Sequence, residues 1–125
     1  MIKELAWLAV AGAVGTLARY GLSGLVHKYC GAGFPWGTLV VNALGCFLFA
    51  LVYTLAEGRL LISAHTRFIL LTGFMGAFTT FSSFAFESGQ LLREAEWALL
   101  AANIIAQNGL GLAFLLLGFA VGRLL

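Results

Sequence analysis

Four long apolar segments dominate the chain and limit what it can fold into. Charged or turn-forming residues bound each of them, and they run from about Leu5 to Val26, Thr38 to Ala56, Arg67 to Leu92 and Trp97 to Leu124. A helix needs about 20 apolar residues to cross the roughly 30 Å hydrocarbon core of a bilayer. Because only 10% of the residues are charged and 62% are hydrophobic, the chain lacks the polar surface of a small soluble domain. The sequence predicts an all-α integral membrane protein with four transmembrane helices, a single domain over residues 1–125.

The spans leave little chain for other modules. They use about 80 of the 125 residues, so a soluble catalytic or nucleotide-binding domain has no room. The two histidines, His27 and His65, are expected in loops, and no nucleophile with an activating base is visible. The seven Lys and Arg residues form no basic run that would indicate nucleic acid as a partner. We expect the chain to act within the membrane, and not as an enzyme.

The distribution of basic residues predicts the topology. With four spans, both termini and the second loop share one side of the membrane. That side carries Lys3, Arg59, Arg67 and Arg123, and the other side carries Lys28 and Arg93. Basic residues favour the cytoplasmic side of the membrane. Four basic residues on one side against two on the other give only a weak bias towards one orientation. Insertion in both orientations is therefore predicted.

The third segment carries hydroxyl side chains at mid-membrane. Thr79, Thr80, Ser82 and Ser83 follow directly after a stretch with two glycines, 73–78. Hydroxyls compete for backbone hydrogen bonds, and glycine costs about 1 kcal/mol relative to alanine in a helix. This pattern predicts a break in the third helix, which membranes tolerate where freed backbone groups line a cavity or bind an ion. An unbroken helix with its hydroxyls bonded to its own carbonyls fits the pattern equally well.

Polar side chains also recur at helical spacing in the neighbouring segments. Thr38 and Asn42 are four residues apart in the second segment, as are Asn103 and Gln107 in the fourth. Amides in membrane helices commonly form interhelical hydrogen bonds. With the hydroxyls of the third segment, the chain has three polar faces. They supply neutral donors, which suit an anion or a neutral polar solute better than a metal cation.

Two charges and two aromatic rings add to this pattern. Arg19 and Glu87 lie within spans, where a charge marks a pathway or a counter-ion unless it snorkels to the interface. Phe81 and Phe84 are three residues apart, and the electropositive edges of their rings can favour a small anion. Ordinary packing is the alternative for these two of the eleven phenylalanines.

Three stretches of the chain resemble a known family. They are Gly12-Ala-Val-Gly15-Thr-Leu-Ala-Arg19-Tyr20, Gly37-Thr38-Leu-Val-Val-Asn42-Ala-Leu-Gly45 and Gly73-Phe-Met-Gly76-Ala-Phe-Thr79-Thr80-Phe81-Ser-Ser83-Phe84. In order and at this spacing, they resemble the Fluc, or CrcB-type, fluoride channels of microbes, over essentially the whole chain. The resemblance implies an antiparallel, dual-topology homodimer in the inner (plasma) membrane. Such a dimer would export fluoride passively through two pores at its interface and give fluoride resistance.

The resemblance also implies roles for individual residues. Asn42, Phe81 and Phe84 would line a pore, with the two rings of one pore supplied by different subunits. The other implied pore residues are the hydroxyl donors Thr38 and Ser83, the carboxylate Glu87 and the vestibule cation Arg19. The backbone carbonyls of Gly76 and Thr79 from both subunits would enclose one structural sodium ion. On the fourth helix, Asn103 and Gln107 stand where the family often has Ser, Thr, Tyr or His, so which of them contacts fluoride is left open.

Two other function classes fit parts of the sequence. A proton-coupled small multidrug transporter has the same size and topology, but it needs a carboxylate deep in its first span, and Glu4 precedes that span. A non-conducting assembly subunit would explain the glycines but not the polar faces.

Overall fold

The computed structural model describes residues 1–58 and 62–125, and that part of the chain is helical. Helix α1 comprises Ile2–Cys30 and α2 comprises Trp36–Gly58. The third span, Ala64–Arg93, consists of α3 (Ala64–Phe68), a π-helical segment (Ile69–Met75), α4 (Gly76–Phe78) and α5 (Phe81–Arg93), and α6 comprises Trp97–Leu124. Within these described residues, four helices are long and apolar enough to cross a membrane. The predicted all-α fold with four spans is confirmed.

Both histidines lie in helices, so the prediction that they are in loops is wrong. Helix α1 continues past His27 because no residue stops it before Gly31. That glycine has a φ of 78°, which favours glycine, and its N–H donates to the His27 carbonyl at 2.9 Å. His65 lies in α3, whose start is capped by the Ser63 hydroxyl. Residues 59–61, which include Arg59 of the charge count and part of the predicted second loop, lie outside the described residues.

Two consecutive residues of the third span have extended backbones. Thr79 has φ −84° and ψ 158°, and Thr80 has φ −150° and ψ 111°. The hydroxyl of Thr80 then caps α5 by accepting from the Ser83 N–H at 3.2 Å. The hydroxyl of Thr79 donates back to the Met75 carbonyl at 2.9 Å. The chain therefore re-enters helical geometry at Phe81 with its first turn capped.

Small residues allow close helix approach at the centre of the protomer. A Cβ atom added at Gly118 of α6 would overlap the Phe47 carbonyl oxygen of α2 and lie 2.9 Å from the Ala50 Cβ. One added at Gly15 of α1 would overlap the Phe74 carbonyl oxygen. Both glycines therefore lie at close contacts between helices. By contrast, an added Cβ at Gly109 meets nothing within 4 Å among the described residues.

Candidate functional site

Two cavities contain most of the polar side chains predicted to have a function. The first, of about 640 Å³, lies between α1, α2 and α5, and we name it the Arg19 cavity. Its polar lining residues are Thr16, Arg19, Tyr20, Ser23, His27, Thr38, Thr80, Ser83 and Glu87. The second, of about 330 Å³, is named the Asn42 cavity, and its lining includes Asn42, Cys46, Thr79, Thr80, Phe81, Phe84 and Gln107. Thr80 lines both cavities. The two residues with extended backbones, Thr79 and Thr80, which we name the extended pair, therefore lie between them.

The Arg19 cavity brings a cation and a carboxylate into one space. The Thr38 hydroxyl donates to Glu87 Oε1 at 2.6 Å, while Glu87 Oε2 is buried without a hydrogen-bond partner in the described part of the chain. Within residues 1–58 and 62–125, the guanidinium of Arg19 forms no ion pair. It therefore contributes positive potential to a cavity that is also lined by the Ser83 hydroxyl.

The side chain of Asn42 is anchored to the backbone of Thr80. The Thr80 N–H donates to Asn42 Oδ1 at 2.8 Å, and Asn42 Nδ2 donates to the Thr80 carbonyl at 3.0 Å. Asn42 Nδ2 also donates to Gln107 Oε1 at 3.1 Å. One side chain of α2 therefore joins Thr80 to α6 through an interhelical hydrogen bond.

The rings of Phe81 and Phe84 form part of the apolar wall of the Asn42 cavity. Their centroids are 5.6 Å apart and their planes make an angle of 65°, which is an edge-to-face arrangement. Phe81 is the first residue of α5 and lies within the third span, yet its side chain is 77% exposed in the protomer. The two rings therefore lie beside the amides of Asn42 and Gln107.

Two carbonyl groups next to the extended pair lose their usual helical partners. In an uninterrupted α-helix, the Gly76 carbonyl accepts from the Thr80 N–H and the Thr79 carbonyl accepts from the Ser83 N–H. Here the first N–H donates to Asn42 Oδ1 and the second to the Thr80 hydroxyl. Among residues 1–58 and 62–125, no cluster of three His, Cys, Asp or Glu side chains is suited to a metal. Backbone oxygens are thus the ligands that this region offers to a small hard cation.

Asn103 lies apart from the other predicted pore residues. It is fully buried, and its Nδ2 donates to the Ser88 hydroxyl of α5 at 3.0 Å. The four-residue spacing between Asn103 and Gln107 suggested one shared environment. However, Asn103 bonds Ser88 of α5, whereas Gln107 bonds Asn42 of α2. The pore role of Asn103 stays a prediction.

A polar face of α1 is missed by the sequence analysis. Ser23 and His27 lie one and two turns beyond Arg19 and line the same cavity. The signal was available, since Thr16, Arg19, Tyr20, Ser23 and His27 follow one another at spacings of one, three or four residues. The prediction that His27 lies in a loop excluded it from this polar face.

Comparison with known proteins identifies the family. Residues 6–119 match the model of the CrcB-like protein family, described as camphor resistance (CrcB). The chain belongs to this family. A protein of Nitrosococcus oceani named fluoride-specific ion channel FluC is 62% identical over 125 residues, and the alignment covers all of both chains. Proteins of the same name from Solidesulfovibrio magneticus and Desulforapulum autotrophicum are 56% and 47% identical, again over the full length of both chains.

Membership of the CrcB family confirms several expectations. The family resemblance read from the three motifs is correct, and it extends over nearly the whole chain. Since the relatives are named as ion channels, the expectation that the chain is not an enzyme is confirmed. The four apolar helices and the family together identify a multi-pass protein of the plasma membrane.

Proposed function

We propose that this protein is a fluoride-selective channel that exports fluoride passively and thereby gives fluoride resistance. Relatives that match the whole chain at up to 62% identity carry the name fluoride-specific ion channel. The observation that carries the proposal within the protomer is that the two cavities adjoin at Thr80. Their walls hold hydroxyl and amide groups, two aromatic rings and the guanidinium of Arg19, which forms no ion pair in the described part of the chain.

The chemistry of these walls suits a small dehydrated anion. Removing water from an anion in an apolar medium costs tens of kcal/mol, so a pore must return most of that free energy. Arg19 raises the potential in the wider cavity, where the Ser83 hydroxyl is a candidate donor to the anion and the Thr38 hydroxyl donates to Glu87. In the Asn42 cavity, amides and the edges of Phe81 and Phe84 can replace water without holding the ion too tightly to leave.

The conducting unit in this proposal is an antiparallel homodimer with two pores. The weak bias of four basic residues against two supports insertion in both orientations. Phe81 exposes a large ring on the surface of the protomer, and Gly76 is also exposed. A second copy with the opposite orientation would cover both residues and bring the Phe81 of one subunit to the Phe84 of the other.

A structural sodium ion at the centre of the dimer completes the proposal. Its ligands would be the Gly76 and Thr79 carbonyls of both subunits, because the amides that normally occupy these oxygens are directed elsewhere. At about 10 Å from a pore, one positive charge contributes roughly 1 to 2 kcal/mol of attraction for an anion at an effective dielectric near 20. The ion would thus hold the two subunits together and attract anions into the pores.

The selectivity of the channel is tested by efflux from liposomes. We expect purified protein to release trapped fluoride, measured with a fluoride electrode, and to release chloride at less than about a hundredth of that rate. The proposed selectivity requires that the pore of the dimer replaces the hydration shell of fluoride better than that of the larger chloride ion. Equal rates for the two anions would rule out the proposed selectivity.

The antiparallel assembly is tested by topology reporters at the C-terminus. We expect reporters active on each side of the membrane to be functional in the same cells. Adding or removing one lysine at Lys3 or Lys28 should shift the ratio, because the existing bias is small. A single orientation that these changes do not alter contradicts the antiparallel dimer.

A further inference from the structure

A third cavity adjoins the Arg19 cavity at the first loop. It has a volume of about 310 Å³, and we name it the loop cavity. Its walls come from the end of α1, from residues 32–35 and from the C-terminal half of α5. His27 and Glu87 line both this cavity and the Arg19 cavity. These two side chains therefore lie where the two cavities meet.

The ionisable groups around His27 come from two helices. On α1, Arg19 and Tyr20 line the Arg19 cavity. On α5, Glu87 lines both cavities and Glu94 lines the loop cavity. The residues that α2 and the first loop contribute to these walls carry no ionisable side chain. The electrostatic potential at the junction is therefore set by α1 and α5.

The balance of formal charge at this junction depends on His27. Two carboxylates, Glu87 and Glu94, oppose the single guanidinium of Arg19. While the imidazole of His27 is neutral, the carboxylates outnumber the cations, and their potential repels an anion. Protonation of His27 makes the numbers equal. Whatever the state of the carboxylates, this step adds one positive charge where the two cavities meet.

His27 is suited to change its charge under ordinary conditions. Histidine is the side chain that ordinarily gains or loses a proton between about pH 5 and 8. His27 is exposed in the protomer, so protons reach it from water. The neighbouring Lys28 extends over the Tyr29 ring, 5.9 Å from its centroid, and lines neither cavity. A guanidinium such as that of Arg19 keeps its charge in proteins.

We propose that His27 is a proton-dependent cation at the entrance of the fluoride pathway, and that its protonation increases fluoride conduction. The inference rests on the proposed fluoride conduction. An anion that moves between the loop cavity and the Arg19 cavity passes His27 and Glu87, and the imidazolium attracts it there as Arg19 does deeper in the span. Conduction is therefore greatest at low pH and decreases as the pH rises through the range in which His27 loses its proton.

Fluoride currents in planar bilayers test the proposal in the full-length protein. The pH is set equally on both sides of the membrane, so that it is the same at every entrance. We expect the current of the parent at about pH 5.5 to be at least about threefold its current at about pH 8. His27→Gln keeps a polar side chain without the charge and should remove this difference. His27→Lys should give, at both pH values, the current that the parent gives at the lower one.

His65→Gln is the matched control, because the chain has only two histidines. His65 lies in α3 with its Nδ1 3.5 Å from Glu4 Oε1, and it lines none of the three cavities. This variant should keep the current ratio of the parent. In tag-free protein it also leaves one histidine, whose imidazole NMR signals report the protonation of His27. We expect these signals to titrate over the same pH range as the current.

The outcomes separate this inference from the proposed function. A parent protein that conducts no fluoride at either pH refutes the proposed function itself. A parent that conducts equally well at both pH values overturns only the role of His27. A pH dependence that persists in His27→Gln also overturns it, because another group, such as Glu87, then titrates. If neither His27 variant elutes like the parent on gel filtration, the NMR titration decides. A His27 signal that stays unchanged while the current changes overturns the inference.

Discussion

Replacing Gly118 with alanine is expected to lower the free energy of unfolding of the protomer by about 1 to 3 kcal/mol, the cost of overpacking a tight contact. The added Cβ would overlap the Phe47 carbonyl oxygen of α2 and lie 2.9 Å from the Ala50 Cβ. A backbone carbonyl within a helix cannot rotate away as a flexible side chain can. The two helices must therefore separate along one of the main interfaces of the protomer.

Gly109→Ala on the same helix is the matched control. Nothing lies within 4 Å of an added Cβ there among the described residues, and alanine favours a helix over glycine by about 1 kcal/mol. We therefore expect this variant to be as stable as the parent or more so. Reversible unfolding in detergent, followed by circular dichroism, compares the two. Equal destabilisation by both substitutions contradicts the packing argument.

These two glycines also mark what the sequence can and cannot predict about the fold. Apolar length alone identified the four spans, because a bilayer demands about 20 apolar residues for each crossing. Gly109 and Gly118 are indistinguishable by residue type, however. Which of them meets a neighbouring helix depends on how α6 is rotated against α2, and this is a property of the packed protomer. The first apolar segment ends at about Val26, whereas α1 continues through His27 to Cys30, because polar residues at the end of a span can remain helical.

The site was predictable in its parts but not in its connections. Spacing placed Thr38 and Asn42 on one face, and the resemblance to the family named the phenylalanines and Arg19. The bond between Thr38 and Glu87, on helices far apart in sequence, follows only from packing. Similarly, Asn42 bonds both Gln107 and the Thr80 N–H, which is free to bond Asn42 because two residues are extended. No spacing rule contains that information.

Phe81→Ile and Phe84→Ile are each expected to reduce the fluoride current at least about a hundredfold. Isoleucine is apolar and large enough to limit the cavity that is left, so the packing of the helices should largely survive. What it lacks is an aromatic ring with an electropositive edge, and the two rings of a protomer line the Asn42 cavity with their centroids 5.6 Å apart. Leaving a desolvated anion without that contact costs about 3 kcal/mol, which corresponds to roughly a hundredfold. Currents in planar bilayers, normalised to dimer content, provide the measurement.

Phe74→Ile is the control for this pair of substitutions. Phe74 stacks on Phe78 at a centroid distance of 5.6 Å and lines neither cavity, so its loss removes packing and no contact with the ion. We expect its current to stay within about twofold of the parent. If Phe81→Ile and Phe84→Ile conduct like the parent, or lose current only because the dimer dissociates on gel filtration, the rings do not act on the anion. The other polar groups that line the two cavities must then replace its water without them.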